Sequence, residues 1–307
     1  MSDDMRLGAP MLRVREIEAM LRFYSNDSGL QINKKYHDPS DDLDIVELGF
    51  KTAPKHGESI LVLKHDPNAK ETRHDFAGLY HYAMLVPDRR SLASTYLAIG
   101  ISGAPFEGFA DHTVSESLYL HDVERNGIEI YADRPRNTWG RFMEQMKKGD
   151  SVDPREFMAL NKPLDFDSLL RELNKNERDK PSPFPNGARI GHMHLRVTNL
   201  ERSVRFYHER LGLDIIGNLR SIGAAFLSAG GYHHHIGLNT WHSLGGSPHK
   251  QGEAGLEHLK IILPDGIALK SLGSQFPESP QDDGRLVIMD PDGIRINVES
   301  ADSTLRT

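Results

Sequence analysis

From Gly191 the chain alternates apolar and polar residues through GHMHLRV and then changes period. In the continuation TNLERSVRFYHERLGL, Leu200, Val204, Tyr207 and Leu211 recur at helical spacing on one face, with Asn199 placed as N-cap and Gly212 as stop. A strand followed by an amphipathic helix is predicted. The same pattern lies 183 positions earlier, in GAPMLRVREIEAMLRFYSNDSGL (Gly8–Leu30), with Ile17, Leu21, Tyr24 and Gly29 in matching places. A second echo joins LYHYAMLVPD (Leu79–Asp88) to LEHLKIILPD (Leu256–Asp265) at a shift of 177, aligning His81 with His258 and Pro87 with Pro264. Each is followed by a turn signal and a last strand, DVERNGIEIYAD ending at Asp133 and DPDGIRINVESAD ending at Asp302. The chain therefore reads as four units, beginning near residues 8, 78, 190 and 255, each a strand, a helix and then several strands. Residues 135–188 form a charged, proline-containing connector with short helices such as DFDSLLREL. The expected architecture is α+β: four βαβββ modules paired into two open-barrel domains. Two modules lie in an N-terminal half (1–134) and two in a C-terminal half (189–307).

One βαβββ module leaves an apolar sheet face open, and two side by side close it. The cavity so formed receives side chains from the first and last strands. Residues two apart on a strand share a face, which groups His81 with Ala83 and Leu85, Glu129 with Tyr131, and His192 with His194 and Arg196. Histidines and a glutamate on core-facing strands are costly unless paired or metal-bound; a solvated rim is the plain alternative. At the first-strand position the four modules carry Ala9, His81, His192 and His258. At the last-strand position the second module carries Glu129 and the fourth Asn297, with Glu299 two residues on. Two sets of two histidines and a carboxylate follow: His81, Glu129 and His192, or His192, His258 and Glu299. Either is the donor set of a non-haem Fe(II) facial triad.

Composition narrows the chemistry. With 37 Lys and Arg against 44 Asp and Glu, the formal charge of -7 speaks against nucleic acid or an anionic membrane as partner. There is no cysteine, which removes disulfides, thiolate metal sites and a cysteine nucleophile. Any metal must sit on histidine, carboxylate or carbonyl ligands. The start MSDDMRLGAP has no basic run followed by an apolar stretch, and no segment approaches 18 uninterrupted apolar residues, so a cytoplasmic protein is expected. The 307 residues match about two domains of roughly 150.

The repeats, the GHMHLRV…FY…LGL start and the NGIEIYADRP ending resemble the vicinal oxygen chelate superfamily, and within it the type I extradiol catechol 2,3-dioxygenases. The resemblance covers essentially the whole chain. Its more specific part is DHTVSESLYLHDVERNGIEIYADRP (Asp111–Pro135), where Tyr119 stands ten residues before Glu129 and His112 follows an aspartate. A second match is GGYHHHIGLNTW (Gly230–Trp241), similar to the family's paired-histidine strand. The resemblance implies that His81, His192 and Glu129 hold Fe(II), with Mn(II) sharing the ligand preference. It implies that His234 is the acid/base, with His235 taking the role if the register shifts by one. It also implies that His112 and Tyr119 hydrogen-bond the substrate oxygens and the bound oxygen species.

The implied reaction is Fe(II)-dependent meta-cleavage of a small aromatic diol by O2 to a muconic semialdehyde, in a homo-oligomer. His194 reads as a support to His192, His258 as a packing residue, and His37, His56, His65, His74, His208, His242 and His249 as surface residues. The region Phe106–Phe109 and the connector are expected to set the fit of a ring substituent. The metal motifs sit in modules two and three, whereas the better-known members carry them in the last two. Modules two and three are therefore inferred to close the active-site barrel, and modules one and four the inert one; pairing in sequence order would instead need a subunit interface. A glyoxalase-type isomerase or lyase and a metal-free binding protein are the alternatives on the same fold.

Overall fold

A computed structural model describes residues 1, 3–51, 58–73, 75–282 and 284–304. The first module runs β1 (Arg6–Val14), α1 (Ile17–Arg22), β2 (Leu30–Asp38), β3 (Leu43–Phe50) and β4 (Leu61–His65). The second runs β5 (Gly78–Val86), α2 (Arg89–Ser102), β6 (Phe106–Asp111), β7 (Ser115–His121) and β8 (Gly127–Asp133). The connector carries α3 (Gly140–Lys147), α4 (Pro154–Met158), α5 (Phe166–Leu170) and α6 (Lys175–Asp179). The third module is β9 (Arg189–Arg196), α7 (Leu200–Arg205), β10 (Asp214–Leu219), β11 (Ala224–Ser228) and β12 (Ile236–Asn239). The fourth is β13 (Gly255–Leu263), α8 (Gly266–Gly273), β14 (Gln281–Asp282), β15 (Arg285–Met289) and β16 (Arg295–Ser300). The expected α+β architecture of βαβββ modules is borne out.

Local chemistry explains the helix starts. The Asn199 side chain accepts from Arg202 N, Asp88 from Ser91 N and Asp265 from Ala268 N, each satisfying a donor that the first helical turn leaves free. After α1 and α7 the chain widens into a π-turn, Phe23–Asp27 and Phe206–Arg210. That extra residue per turn swings Tyr24 and Tyr207 fully inward.

The strands form two mixed eight-stranded sheets. One has the order β14-β15-β16-β13-β1-β4-β3-β2, joining modules one and four; the other has the order β10-β11-β12-β9-β5-β8-β7-β6, joining modules two and three. The pairing of first strands is antiparallel in each, β1 with β13 and β5 with β9. The motif-bearing modules thus share one sheet within a single chain, and no subunit interface is needed to bring them together. The main apolar core takes residues from both sheets and from the helices, among them Leu12, Tyr82, Leu195 and Leu259. A second, separate core is built by the connector: Trp139, Phe142, Met146, Val152 and Leu160 pack with Leu219 of β10 and with Val114 and Tyr232 from loops between strands of the second sheet. Among the described residues no helix is long and apolar enough to cross a membrane.

Candidate metal centre

The centre is laid out by register. Ala83 on β5 stands opposite His192 on β9 and opposite Glu129 on β8, so the three residues form a row across three strands. His81 lies two residues back along β5, on the same face as Ala83. The alanine methyl leaves open the space into which its neighbours reach. All three donors are buried, with Glu129 3% and His192 2% exposed. His81 Nε2 and His192 Nε2 each lie 3.0 Å from Glu129 Oε2, and the two nitrogens are 3.2 Å apart.

That triangle fits a cation. Three donors each about 2.1 Å from one ion stand about 3.0 Å apart on an octahedral face and about 3.4 Å apart in a tetrahedron. The observed edges match the octahedral face. A proton can bridge only one edge of such a triangle, whereas an ion faces all three lone pairs at once. Burial alone would raise Glu129, but the two imidazoles outweigh it and hold the carboxyl well below its usual range, so it brings a negative charge. Burial pushes His192 down to about 4, which leaves its ring neutral and able to ligate. His81, Glu129 and His192 together could hold a metal. The rival set is not assembled: His258 and Glu299 belong to the other sheet.

Around the triangle stand the other expected residues. Tyr119 on β7 is the cross-strand neighbour of Glu129, and its hydroxyl lies 2.7 Å from His112 Nε2. His112 Nδ1 is in turn bonded to Asn161 Oδ1 of the connector. His234 packs its ring 4.2 Å from that of His192. The HHH triplet does not alternate as a strand would. Gly230 and Gly231 both take positive φ, 61° and 65°, and β12 begins only at Ile236, so residues 232–235 are a loop. His233 and His234 consequently face each other, Nδ1 to Nδ1 at 2.9 Å. His235 turns away to Ser228 Oγ at 2.9 Å, so the one-residue shift would not place it against His192.

Sequence reasoning missed the support of His234. His233 is 1% exposed, and its Nε2 lies 2.9 Å from Asp133 Oδ1. With Nε2–H donated to the carboxylate, His233 Nδ1 is an acceptor, and His234 must donate from Nδ1. The lone pair of His234 is thereby fixed on Nε2. Burial also holds His234 well below the ordinary imidazole range. Trp139 packs against His233, ring to ring at 5.2 Å.

Two further expectations need correction. Phe106 and Phe109 pack with Tyr96 of α2 and Phe166 of α5, whereas the aromatic rings against the loop histidines are Trp139, on His233, and Phe226 of β11, on His234. Among the histidines read as surface residues, His37, His208 and His242 are exposed and His65 is half-buried, but His249 is buried. His56 and His74 lie outside the described residues. His194 is buried with its ring 4.9 Å from that of His81, and His258 packs in the other sheet opposite Met11.

Residues 189–265 match the Glyoxalase/Bleomycin resistance protein/Dioxygenase superfamily. A catechol-2,3-dioxygenase of Bacillus subtilis (strain 168) is 36% identical over 263 residues, 85% of this chain and 84% of that protein. The chain belongs to the vicinal oxygen chelate superfamily. Within it, this is a dioxygenase-like enzyme. Two solved structures share its fold. A Bacillus subtilis protein assigned as a dioxygenase gives a TM-score of 0.62 at 11% identity, over 98% of this chain and 86% of that one. Glyoxalase I from Zea mays gives 0.58 at 16% identity, over 99% and 95%.

Proposed function

We propose that the enzyme is an Fe(II)-dependent extradiol dioxygenase that opens catechol, or a substituted catechol, beside its two hydroxyl-bearing carbons. Both atoms of O2 enter the product, a muconic semialdehyde, and no external reductant is needed. The observation that carries this reading is the buried His81–Glu129–His192 triangle beside a tautomer-fixed His234. The kinship to a catechol-2,3-dioxygenase supports it.

His81, Glu129 and His192 would hold the ion. Held by these donors, Fe(II) would supply Lewis acidity and a route for electron density between the diol and O2; Mn(II) suits the same donors. Glu129 contributes one negative charge, so a diol bound as its monoanion leaves the site neutral. His234 takes a proton at Nε2 from a catechol hydroxyl and returns it as the ring opens, while His233 and Asp133 keep its tautomer fixed. The Tyr119 hydroxyl and His112, oriented by Asn161, hydrogen-bond oxygen atoms of the reacting pair. Trp139, Phe142 and their neighbours in the connector core exclude water and receive the ring.

The test is anaerobic loading with Fe(II), then catechol, then air, with the absorbance spectrum recorded. A yellow product is expected from the native enzyme and from His258→Ala, and none from Glu129→Ala. Product from Glu129→Ala, or bound iron with no product from any diol, would overturn the reading.

A further inference from the structure

The repeat supplies an internal control for one arginine. Arg13 on β1 and Arg196 on β9 occupy the same repeat position, each opposite a glycine, Gly255 and Gly78. Next to each glycine pair the neighbouring strand bulges by one residue, Glu257 in one sheet and Tyr80 in the other. Glu257 clamps Arg13 in two hydrogen bonds, to Nε at 2.9 Å and Nη2 at 3.2 Å, and Asp66 takes Nη1 at 2.7 Å. Arg196 has Tyr80 where Arg13 has Glu257. Its Nε is buried and has no hydrogen-bond partner among the described residues. Burial lowers the affinity of this guanidinium for its proton, the signature of a cation out of water without a counter-charge.

A second unpaired nitrogen faces the same place. His249 is 7% exposed, and its Nδ1 has no partner among the described residues. A Cβ placed on Gly78 would lie 3.9 Å from Arg196 Nη2 and 3.7 Å from His249 Nδ1, so both groups border the gap over that glycine. The gap is a cavity of about 120 Å³ between the modules, with Arg15, Arg125, Glu71 and Glu124 also in its lining. Glu124 is already engaged, its Oε1 accepting from the backbone N–H groups of Arg15 and Glu16. The cavity has ample room for a small oxyanion.

We infer that Arg196 and His249 form a binding site for a small oxyanion, carboxylate or phosphate in size, which takes the place that Glu257 fills in the other sheet. The anion pairs the guanidinium and accepts from His249 Nδ1–H, offsetting the burial and the Arg196 charge that push this imidazole down. The site is separate from the metal centre: none of its lining residues belongs to the His81–Glu129–His192 triangle.

The test is thermal unfolding with calorimetric titration, at constant ionic strength, as sodium chloride is replaced by sodium acetate or by sodium phosphate. The native enzyme is expected to bind one equivalent saturably, with a rise in Tm of about 3 °C. Arg196→Met should lose the response. Tyr80→Glu, which copies the arrangement around Arg13, should lose it too while melting higher than the native enzyme without added anion. His81→Ala should keep it, because the response does not pass through the metal. A response to acetate alone would identify a carboxylate as the ligand, and a response to phosphate alone an inorganic anion. No saturable response in the native enzyme, or an undiminished response in Tyr80→Glu, would overturn the inference.

Discussion

Across β7, β8, β5 and β9 the central row of the second sheet reads Tyr119, Glu129, Ala83, His192; across β15, β16, β13 and β1 the first sheet reads Val287, Asn297, Lys260, Gly8. The frames are alike and the side chains are not. Where Ala83 leaves room for three donors, the stem of Lys260 lies over Gly8, and its ammonium reaches Glu299 at 3.2 Å. Pro10 takes the place of Met193, and a proline cannot donate to the ladder. The register slips by one residue between Gly8 and Met11, so Ala9, the counterpart of His192, does not face Lys260. His258 persists, but burial and the neighbouring Lys260 push it down to about 3, and it only packs. Among the described residues the donor cluster forms only in the sheet whose middle position is an alanine, and a histidine at the repeat position does not by itself make one.

The sharpest way to break this comparison is to exchange the middle residue. Ala83→Lys puts an ammonium beside Glu129 and should lower kcat/KM by at least about 10³-fold, with bound iron lost and the fold kept. Lys260→Ala, the reverse change, should alter activity less than about twofold. Metal analysis together with steady-state rates reads both. An Ala83→Lys enzyme that still holds iron would show that the space at this position does not distinguish the sheets.

A smaller effect is expected from the connector, whose apolar core lies over the second sheet. Asn161→Ala frees His112 from the partner on its Nδ1. Loss of such an orienting bond should cost about 10- to 100-fold in kcat while the metal content stays unchanged. Equal losses of metal and of rate would mean that Asn161 supports the fold rather than His112.

The repeats, the three ligand candidates and the grouping of modules two and three were legible because each rests on spacing, and spacing survives folding. Alternation assigned the faces of His81, Glu129 and His192 correctly because they lie within β5, β8 and β9. Extended through residues 233–235, the same rule would set His233 and His235 on the face opposite His234, but it holds only inside a strand; the Gly230-Gly231 pair, readable as a breaker, was the available signal. Asn161 and Trp139 were out of reach. Their local sequence predicts short helices and turns, but nothing local says which sheet a connector covers. His249 was misread for a similar reason: it follows the turn-rich HSLGGSP, and its burial is set by Asp292 and Gly78, which are distant in sequence.

The two sheets are joined by a pair of clasps that differ only in degree, and pH should separate them. The Tyr24 hydroxyl from the first module donates to Asp122 of the second at 2.8 Å, and Tyr207 from the third donates to Asp290 of the fourth at 3.1 Å. Each aspartate also accepts backbone N–H groups of its own turn. Burial raises both, Asp122 to about 6 and Asp290 to about 7, where the nearby Asp292 adds to the shift. A carboxyl raised on folding binds its proton more tightly in the native state than in the unfolded chain. Its contribution is complete below about pH 4, the unfolded value, and is lost as pH rises through the folded one. The native Tm should therefore drift down by a few degrees toward pH 8. Asp290→Asn should remove the part of that drift reaching to about pH 7, and Asp122→Asn a part that ends near pH 6. Tm curves for both variants that run parallel to the native one would show that the two carboxyls keep ordinary affinities, held ionised by their N–H donors against the cost of burial.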